Sequence, residues 1–202
     1  MREELPVDGT EQALSDDGLL RGLAELREAG EIEEASLGLN AFDAGMVQGH
    51  LRLFRRPAAG VVQSALLAGG YNLLNQEGLP LLVEAERRGI EIHMAGVFSS
   101  GLLAGGATVY ATGSDSGQKP ATELQELAAG WAKLAEEHGL ALPAVAMAFA
   151  ALPKCVTKVV VGCSSVEDIE EDVRLLPQTA VPAELWQEAK RRGLLSASVA
   201  TP

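Results

Sequence analysis

Cysteines, basic residues and long apolar runs are all scarce in this sequence of 202 residues. Cys155 and Cys163 are its only cysteines, and without a CxxC spacing they offer neither a disulfide framework nor a zinc site. Because a predicted strand separates them, both thiols are expected to be reduced and structural. The 16 basic residues are outnumbered by 28 acidic ones, and the net charge of −12 argues against nucleic acid or an anionic membrane as a partner.

The lack of a long apolar run and of a leader-like start predicts a soluble, cytoplasmic protein. No stretch approaches the roughly 20 apolar residues of a membrane span, and residues 1–6 do not combine a basic region with an apolar one. No linker composition divides the chain, so residues 1–202 are predicted to form one domain, with a loop over residues 1–14. That domain is shorter than the roughly 250 residues typical of a complete (β/α)8 barrel.

Strand-like and helix-like patterns alternate along the chain. Strands are predicted over residues 32–39, 61–68, 90–97 and 156–161. Helices are predicted over residues 15–30, 43–56, 79–88, 122–138, 143–152, 165–176 and 182–192, with Ser15 and Asp43 as N-terminal caps of the first two. The alternation indicates an α/β fold with about four parallel strands joined by right-handed crossovers.

A half-barrel of four strands has two open edges and an exposed apolar face. Natural proteins normally cover such edges. We therefore expect the chain to self-associate, to pair with a separate N-terminal half, or to flatten into an open sandwich. The loop over residues 98–120 is also unusually long and leaves the carboxyl end of a strand, which makes it a lid candidate.

The segment with the strongest functional signal is GCSSVEDIEED, residues 162–172, which follows the predicted strand at 156–161. A strand that ends in Gly and small hydroxyl residues and then opens a helix presents free backbone N–H groups at the helix N-terminus. Such groups can bind an anion such as a phosphate.

Four segments together resemble the second half of the aldo/keto reductase family. They are SLGLNAF at 36–42, LLAGGYNLLNQ at 66–76, GVFSSGLL at 96–103 and the segment at 162–172, in that order. The subgroup they resemble most is the D-threo-aldose 1-dehydrogenase, or L-fucose dehydrogenase, type. The resemblance implies a partial (β/α)8 TIM barrel, the C-terminal half of the family barrel, and an NAD(P)-dependent oxidoreductase acting on aldoses or aldehydes.

The resemblance also implies positions that contact the dinucleotide. Asn40 matches the polar residue that binds the nicotinamide carboxamide. The loop over the pyrophosphate is matched by Phe98, Ser99, Gly101 and Leu102. The adenosine end is matched by Gly162, Ser164, Ser165, Asp168, Glu171 and Asp172. Relatives often have Arg where this chain has Ser164, and Asn where it has Asp172, so both NADP and NAD remain candidates.

The family's catalytic Asp, Tyr, Lys and His belong to the first half of its barrel, and no segment here resembles the motifs that carry them. This chain is therefore expected to supply the cofactor-binding half, to have no catalytic residue of its own and to be inactive alone. A non-catalytic dinucleotide-binding protein, or pseudoenzyme, and an interaction protein that pairs through its open sheet edge remain alternatives.

Plainer structural roles exist for several of these residues. The turn at Ser165 could be a capped strand–helix junction, Asn40 could cap the following helix, and Phe98 could be part of the core. Tyr71 is expected to be a buried structural residue, since no Lys and His pair accompanies it. His93 is expected to be a core histidine because it alternates with apolar residues in a strand.

Overall fold

Four parallel strands form a single sheet, and their order across the sheet follows the order of the chain. The computed structural model describes residues 15, 17–56, 60–105 and 121–202. The predicted loop at 1–14 and the segment 106–120 of the lid candidate lie outside the described residues. The predicted α/β architecture with four parallel strands is confirmed.

Strands and helices alternate up to β3, and two helices in succession then lead to β4. The elements are α1 (Leu19–Glu28), β1 (Ala35–Asn40), α2 (Ala44–Arg55), β2 (Val62–Ala68), α3 (Leu79–Arg88), β3 (Glu91–Ala95), α4 (Ala121–Glu137), α5 (Leu142–Ala150), β4 (Val156–Val159), α6 (Val166–Leu175) and α7 (Ala183–Arg191). Short 3-10 turns cover Leu102–Ala104 and Leu176–Thr179.

Local sequence signals, such as capping residues, predict most of the helix ends correctly. The Asp43 carboxylate accepts a hydrogen bond from the Met46 amide at 2.9 Å, so Asp43 caps α2 as predicted. Ser165 likewise caps α6. The prediction that Ser15 caps the first helix is wrong, because α1 begins at Leu19 with Gly18 at its N-cap and without a side-chain cap. The Ser15 carbonyl instead accepts from the Gly18 amide in a turn before the helix.

The strands are shorter than predicted because side chains and backbone turns end the sheet pairing early. At the start of β1, the amide of Ala35 bonds to the Gln63 side chain at 2.8 Å. At the end of β3, Gly96 adopts a φ of +69° and turns the chain out of the sheet. A Cβ at Gly96 would lie 2.8 Å from the backbone nitrogen of Gly69, so two chain segments approach closely here.

The core is centred on the middle strands and on an aromatic group beside them. Leu67, Ile92 and Met94 of the inner strands are fully buried. The aromatic group joins the loop after β2 to helices α4, α5 and α7; its members are Tyr71, Trp131, Phe149 and Trp186. Among the described helices, none is both long and apolar enough to cross a membrane.

The two end strands of the sheet, β1 and β4, differ in their surroundings. β1 buries alternate residues, whereas no residue of β4 is fully buried. Helix α6, which follows β4, exposes half or more of Val166, Ile169 and Val173, and Leu176 extends the same apolar stripe. The end of the sheet at β4 and α6 is therefore consistent with the predicted open, partly apolar edge.

Candidate functional site

The carboxyl ends of the parallel strands lie along one edge of the sheet. Asn40 pairs with Ala68 at the end of β2, and Ala68 pairs with Ala95 at the end of β3. The amide of Val160, just after β4, donates to the Met94 carbonyl of β3 at 2.8 Å. The segments after β1, β3 and β4 therefore leave the sheet at the same edge, and β1 and β4 are three strand spacings, roughly 14 Å, apart.

The junction between β4 and α6 is held by a carboxylate of the chain itself. Asp168 Oδ2 accepts from the Ser164 amide at 2.9 Å, the Ser164 hydroxyl at 2.8 Å and the Ser165 amide at 3.1 Å. The Ser165 hydroxyl accepts in turn from the Asp168 amide, which completes a capping box. The hydrogen bonds from Ser164 lower the pKa of Asp168. The predicted anion site at this helix start is thus already occupied by a carboxylate.

The other predicted residues of this segment lie on its exposed side. Gly162 and Glu171 are exposed, and Asp172 is half-buried. The Cys163 thiol donates to Asp172 Oδ2 at 3.4 Å, and desolvation and this bond raise its pKa. Both cysteines are free, but only Cys155 is buried; Cys163 is exposed and contacts Asp172 rather than the core.

The turn after β3 has a strained backbone. Ser99, Ser100 and Gly101 all have positive φ, at 49°, 57° and 93°. For a residue with a Cβ this conformation costs on the order of 1 kcal/mol or more, and such strain clusters at functional sites. The turn is closed by bonds from the Gly101 and Leu103 amides to the Phe98 carbonyl.

Phe98 packs in a small apolar cluster that connects two of the candidate segments. It is half-buried and packs with Val161 against a small apolar cluster that includes Met147 and Leu175. Since Val161 directly precedes Gly162, this cluster joins the turn after β3 to the junction after β4. The structure thereby brings together two of the three segments that the sequence singled out.

Asn40, the third predicted contact, lies at the exposed end of β1. It does not cap the following helix, because Asp43 occupies that position. Its side chain makes no hydrogen bond to the described residues, while its carbonyl accepts from Nε2 of His50 at 2.7 Å. His50 therefore supports the backbone at this corner.

Sequence reasoning missed a hydrogen-bonded clasp that ties the strand ends together. The buried Asn72 side chain donates to the Gly96 carbonyl at 3.1 Å and accepts from the Leu74 and Asn75 amides at 2.9 and 3.0 Å. The side-chain Nδ2 of Asn75 donates to the backbone carbonyls of Phe42 and Gly69. The loops after β1, β2 and β3 are thereby fixed to each other.

Two longer side chains complete this clasp. Gln76 Nε2 donates to the carbonyls of Asn72 and Leu73, and the Trp131 indole donates to the Leu73 carbonyl at 3.1 Å. The signal in the sequence was the run of amide side chains in YNLLNQ directly after a strand. Side-chain amides can both donate and accept hydrogen bonds, so they can pair with the N–H and C=O groups of a buried loop backbone.

Tyr71 is a buried residue as predicted, whereas His93 is not enclosed in the core as predicted. Tyr71 is 1% exposed, stacks on Phe149 at 4.7 Å, and has its pKa raised by burial. His93 is half-buried in β3 rather than fully enclosed. No group of His, Cys, Asp or Glu that could hold a metal ion occurs in the described parts of the chain.

The donors and acceptors at this edge suit an extended polar ligand rather than a compact one. The exposed amide of Asn40 lies at one end, the turn at Phe98–Leu102 is between, and hydroxyl and carboxylate groups lie beyond β4. Carboxylates such as those of Asp168 and Asp172 can accept hydrogen bonds from the hydroxyl groups of a ligand.

Comparisons with known proteins identify the family and the fold of the chain. The model for the aldo/keto reductase family matches residues 10–190. A pyridoxal 4-dehydrogenase from Microbacterium luteolum is 33% identical over 191 residues, which are 91% of this chain and 51% of that protein. The chain thus spans about half the length of this curated relative.

Solved structures show the fold. The holo form of aldo-keto reductase AKR11C1 from Bacillus halodurans matches with a TM-score of 0.61 and 19% identity, covering 91% of this chain and 57% of that one. Its apo form matches with a TM-score of 0.63 and 19% identity, covering 90% and 57%. The partial-barrel prediction is confirmed, while the D-threo-aldose 1-dehydrogenase subgroup stays a prediction. The chain belongs to the aldo/keto reductase family.

Proposed function

We propose that this chain supplies the NAD(P)-binding half of an oxidoreductase that acts on aldoses or related aldehydes. The observation that carries the proposal is that the three predicted contact segments, those after β1, β3 and β4, leave the sheet at the same edge. Ligands of parallel α/β proteins bind at this edge. Membership of the aldo/keto reductase family supports the same assignment.

In this proposal each segment contacts one part of an extended dinucleotide. The Asn40 amide binds the nicotinamide carboxamide and orients the ring. The strained turn at Phe98, Ser99, Gly101 and Leu102 lies along the pyrophosphate, with small residues that permit close approach. The junction of Ser164 and Ser165 with Asp168 and Asp172 holds the adenosine ribose.

The bound dinucleotide supplies or accepts the hydride, and this chain binds and orients it. We propose that the proton-transfer residues lie outside these 202 residues, since Tyr71 is buried against Phe149 and no other segment resembles their motifs. The substrate class rests on the family resemblance and on the pyridoxal 4-dehydrogenase, whose name gives an aldehyde substrate.

Calorimetric titration of the chain with NAD⁺ and NADP⁺ tests the proposal, followed by a search for turnover of aldoses. We expect binding without turnover. Gly162→Leu fits the fold, because a Cβ there has nothing within 4 Å, but it would block a ligand on this segment. We expect it and Asn40→Ala to weaken binding at least tenfold.

Gly22→Leu is the matched control, since Gly22 has equally open space but lies in α1, away from the strand ends. We expect its affinity to equal that of the unchanged chain. Absence of dinucleotide binding, or binding that neither Gly162→Leu nor Asn40→Ala weakens, would contradict the proposal.

We further propose that a second protein surface covers the edge formed by β4 and α6. The apolar stripe of Val166, Ile169 and Val173 supports this. Light scattering should show self-association that Val166→Asp with Val173→Asp reduces and that Val83→Asp, at an exposed position of α3, does not. A monomer at every concentration would contradict self-association and leave a partner polypeptide as the cover.

A further inference from the structure

The exposed apolar side chains of this chain lie mostly beside the two end strands of its sheet. In the described part of the chain, eight large apolar side chains are exposed, and all except Val83 belong to α1, which leads into β1, or to the segment from Val160 to Leu176, which follows β4. Those on α1 are Leu19 and Leu26, and those after β4 are Val160, Val166, Ile169, Val173 and Leu176. Such concentrated apolar surface marks an interaction site.

The charges beside the two end strands are opposite in sign. Glu31, Glu33 and Glu34 precede β1 and are exposed, whereas Lys154 precedes β4 and Lys158 lies within it, both also exposed. In a parallel pairing of β4 with β1 of a second copy, these acids and lysines lie at the same end of the joined sheet. A contact between two copies of the acidic α6 would instead bring carboxylates together.

The number of strands and the open face of the sheet both suit closure. The four parallel strands follow chain order, so two copies joined β4 to β1 at both ends have eight strands, and about eight strands close a barrel that side chains can fill. β1 exposes every second residue, so one face of the sheet is open there. Polar groups on this face are already bonded, Ser64 Oγ to Ser36 Oγ at 2.9 Å and Thr157 Oγ1 to Glu91 Oε2 at 3.1 Å.

We propose that two copies of this chain associate head to tail, with β4 and α6 of each copy against β1 and α1 of the other, into one closed barrel. The inference rests on the proposed function and names the surface that covers the edge formed by β4 and α6. Each junction pairs the backbone edges of two end strands and packs the apolar stripe of α6 against that of α1. Since closure leaves no open edge, association stops at two copies.

Light scattering combined with mixing of variants tests this arrangement. We expect the unchanged chain to be a dimer. Leu19→Asp with Leu26→Asp spoils one surface, and Val166→Asp with Val173→Asp spoils the other; all four side chains are at least 41% exposed, so the fold should tolerate the changes. Each double variant alone should raise the dimer dissociation constant at least tenfold, because it spoils both junctions.

An equimolar mixture of the two double variants should form dimers at concentrations where each alone is monomeric. A dimer with one copy of each variant retains one junction in which both surfaces are intact. Val83→Asp is the control, because Val83 is exposed but lies in α3, which connects the two inner strands. Its dissociation constant should equal that of the unchanged chain.

A monomer, an assembly of more than two copies, or a mixture that stays monomeric would overturn the closed barrel. Dimerisation that the α6 variant weakens and the α1 variant leaves unchanged would overturn the head-to-tail arrangement alone, and the cover proposed for β4 and α6 would stand. Calorimetry with NAD⁺ separates this inference from the dinucleotide site: a monomer that binds NAD⁺ overturns only the dimer.

Discussion

Removing the Asn72 side chain should cost a substantial part of the stability of the whole fold. Asn72 is 2% exposed, and its side chain bonds to the Leu74 and Asn75 amides and to the Gly96 carbonyl. In Asn72→Ala, the Asn75 amide retains a bond to the Asn72 carbonyl. The buried Leu74 amide and the Gly96 carbonyl lose their side-chain partner.

The cost follows from these two groups. A buried donor without a partner costs about 1–3 kcal/mol, and a lost bond at a less buried carbonyl about 0.5–1.5 kcal/mol. We therefore expect Asn72→Ala to lower the free energy of unfolding by about 2–4 kcal/mol, out of the roughly 5–15 kcal/mol typical of a domain. Urea denaturation monitored by tryptophan fluorescence measures this directly, because Trp131 is bonded to the same loop.

Two further variants separate this explanation from a general sensitivity to substitution. Asn40→Ala removes an exposed amide and should change stability by no more than about 0.5 kcal/mol. Asn72→Asp keeps an acceptor for the amides but places a carboxylate oxygen near the Gly96 carbonyl. This repulsion raises the pKa of the carboxyl group in the folded state above its unfolded value of about 4, so the loss of stability should shrink as pH falls towards about 4. A loss below about 1 kcal/mol for Asn72→Ala would refute the clasp as a stabilising element.

Three other predictions concern local features of the fold. Glu84 accepts hydrogen bonds from two arginines of its own helix, which lower its pKa from 4.5 to about 2. Its contribution to the free energy of unfolding is therefore present above pH 4.5 and is lost as pH falls towards 2. Urea denaturation at a series of pH values over this range should show a larger loss of stability for the unchanged chain than for Glu84→Gln. Gly96→Ala should destabilise by more than Gly139→Ala, because both have a φ near +70° but only the first places a Cβ against backbone; equal losses would contradict the close approach. Asp43→Ala should cost about 1 kcal/mol in the same assay through loss of the α2 cap, and no loss would show that the cap is dispensable.

Much of the fold and part of the site could be predicted because their signals are local. The Asp43 cap, the left-handed Gly89 at the end of α3 and the Ser165 cap each depend on residues within one helical turn. The segment at 162–172 could be located for a similar reason, since it directly follows a strand, whereas Asn40 and the turn at 98–102 were identified through the family resemblance. Strand ends were less predictable, because where β3 stops depends on how Gly96 approaches Gly69 from another part of the chain.

The amino-acid sequence by itself determined the order of strands and helices and the edge of the sheet at which the candidate residues lie, because apolar periodicity and capping act over a few residues. Only the tertiary structure decided which groups meet at that edge. Asn72 reaches Gly96 across 24 positions, and Trp131 reaches Leu73 across 58. Such bonds depend on which strand ends become neighbours, and no local pattern encodes that.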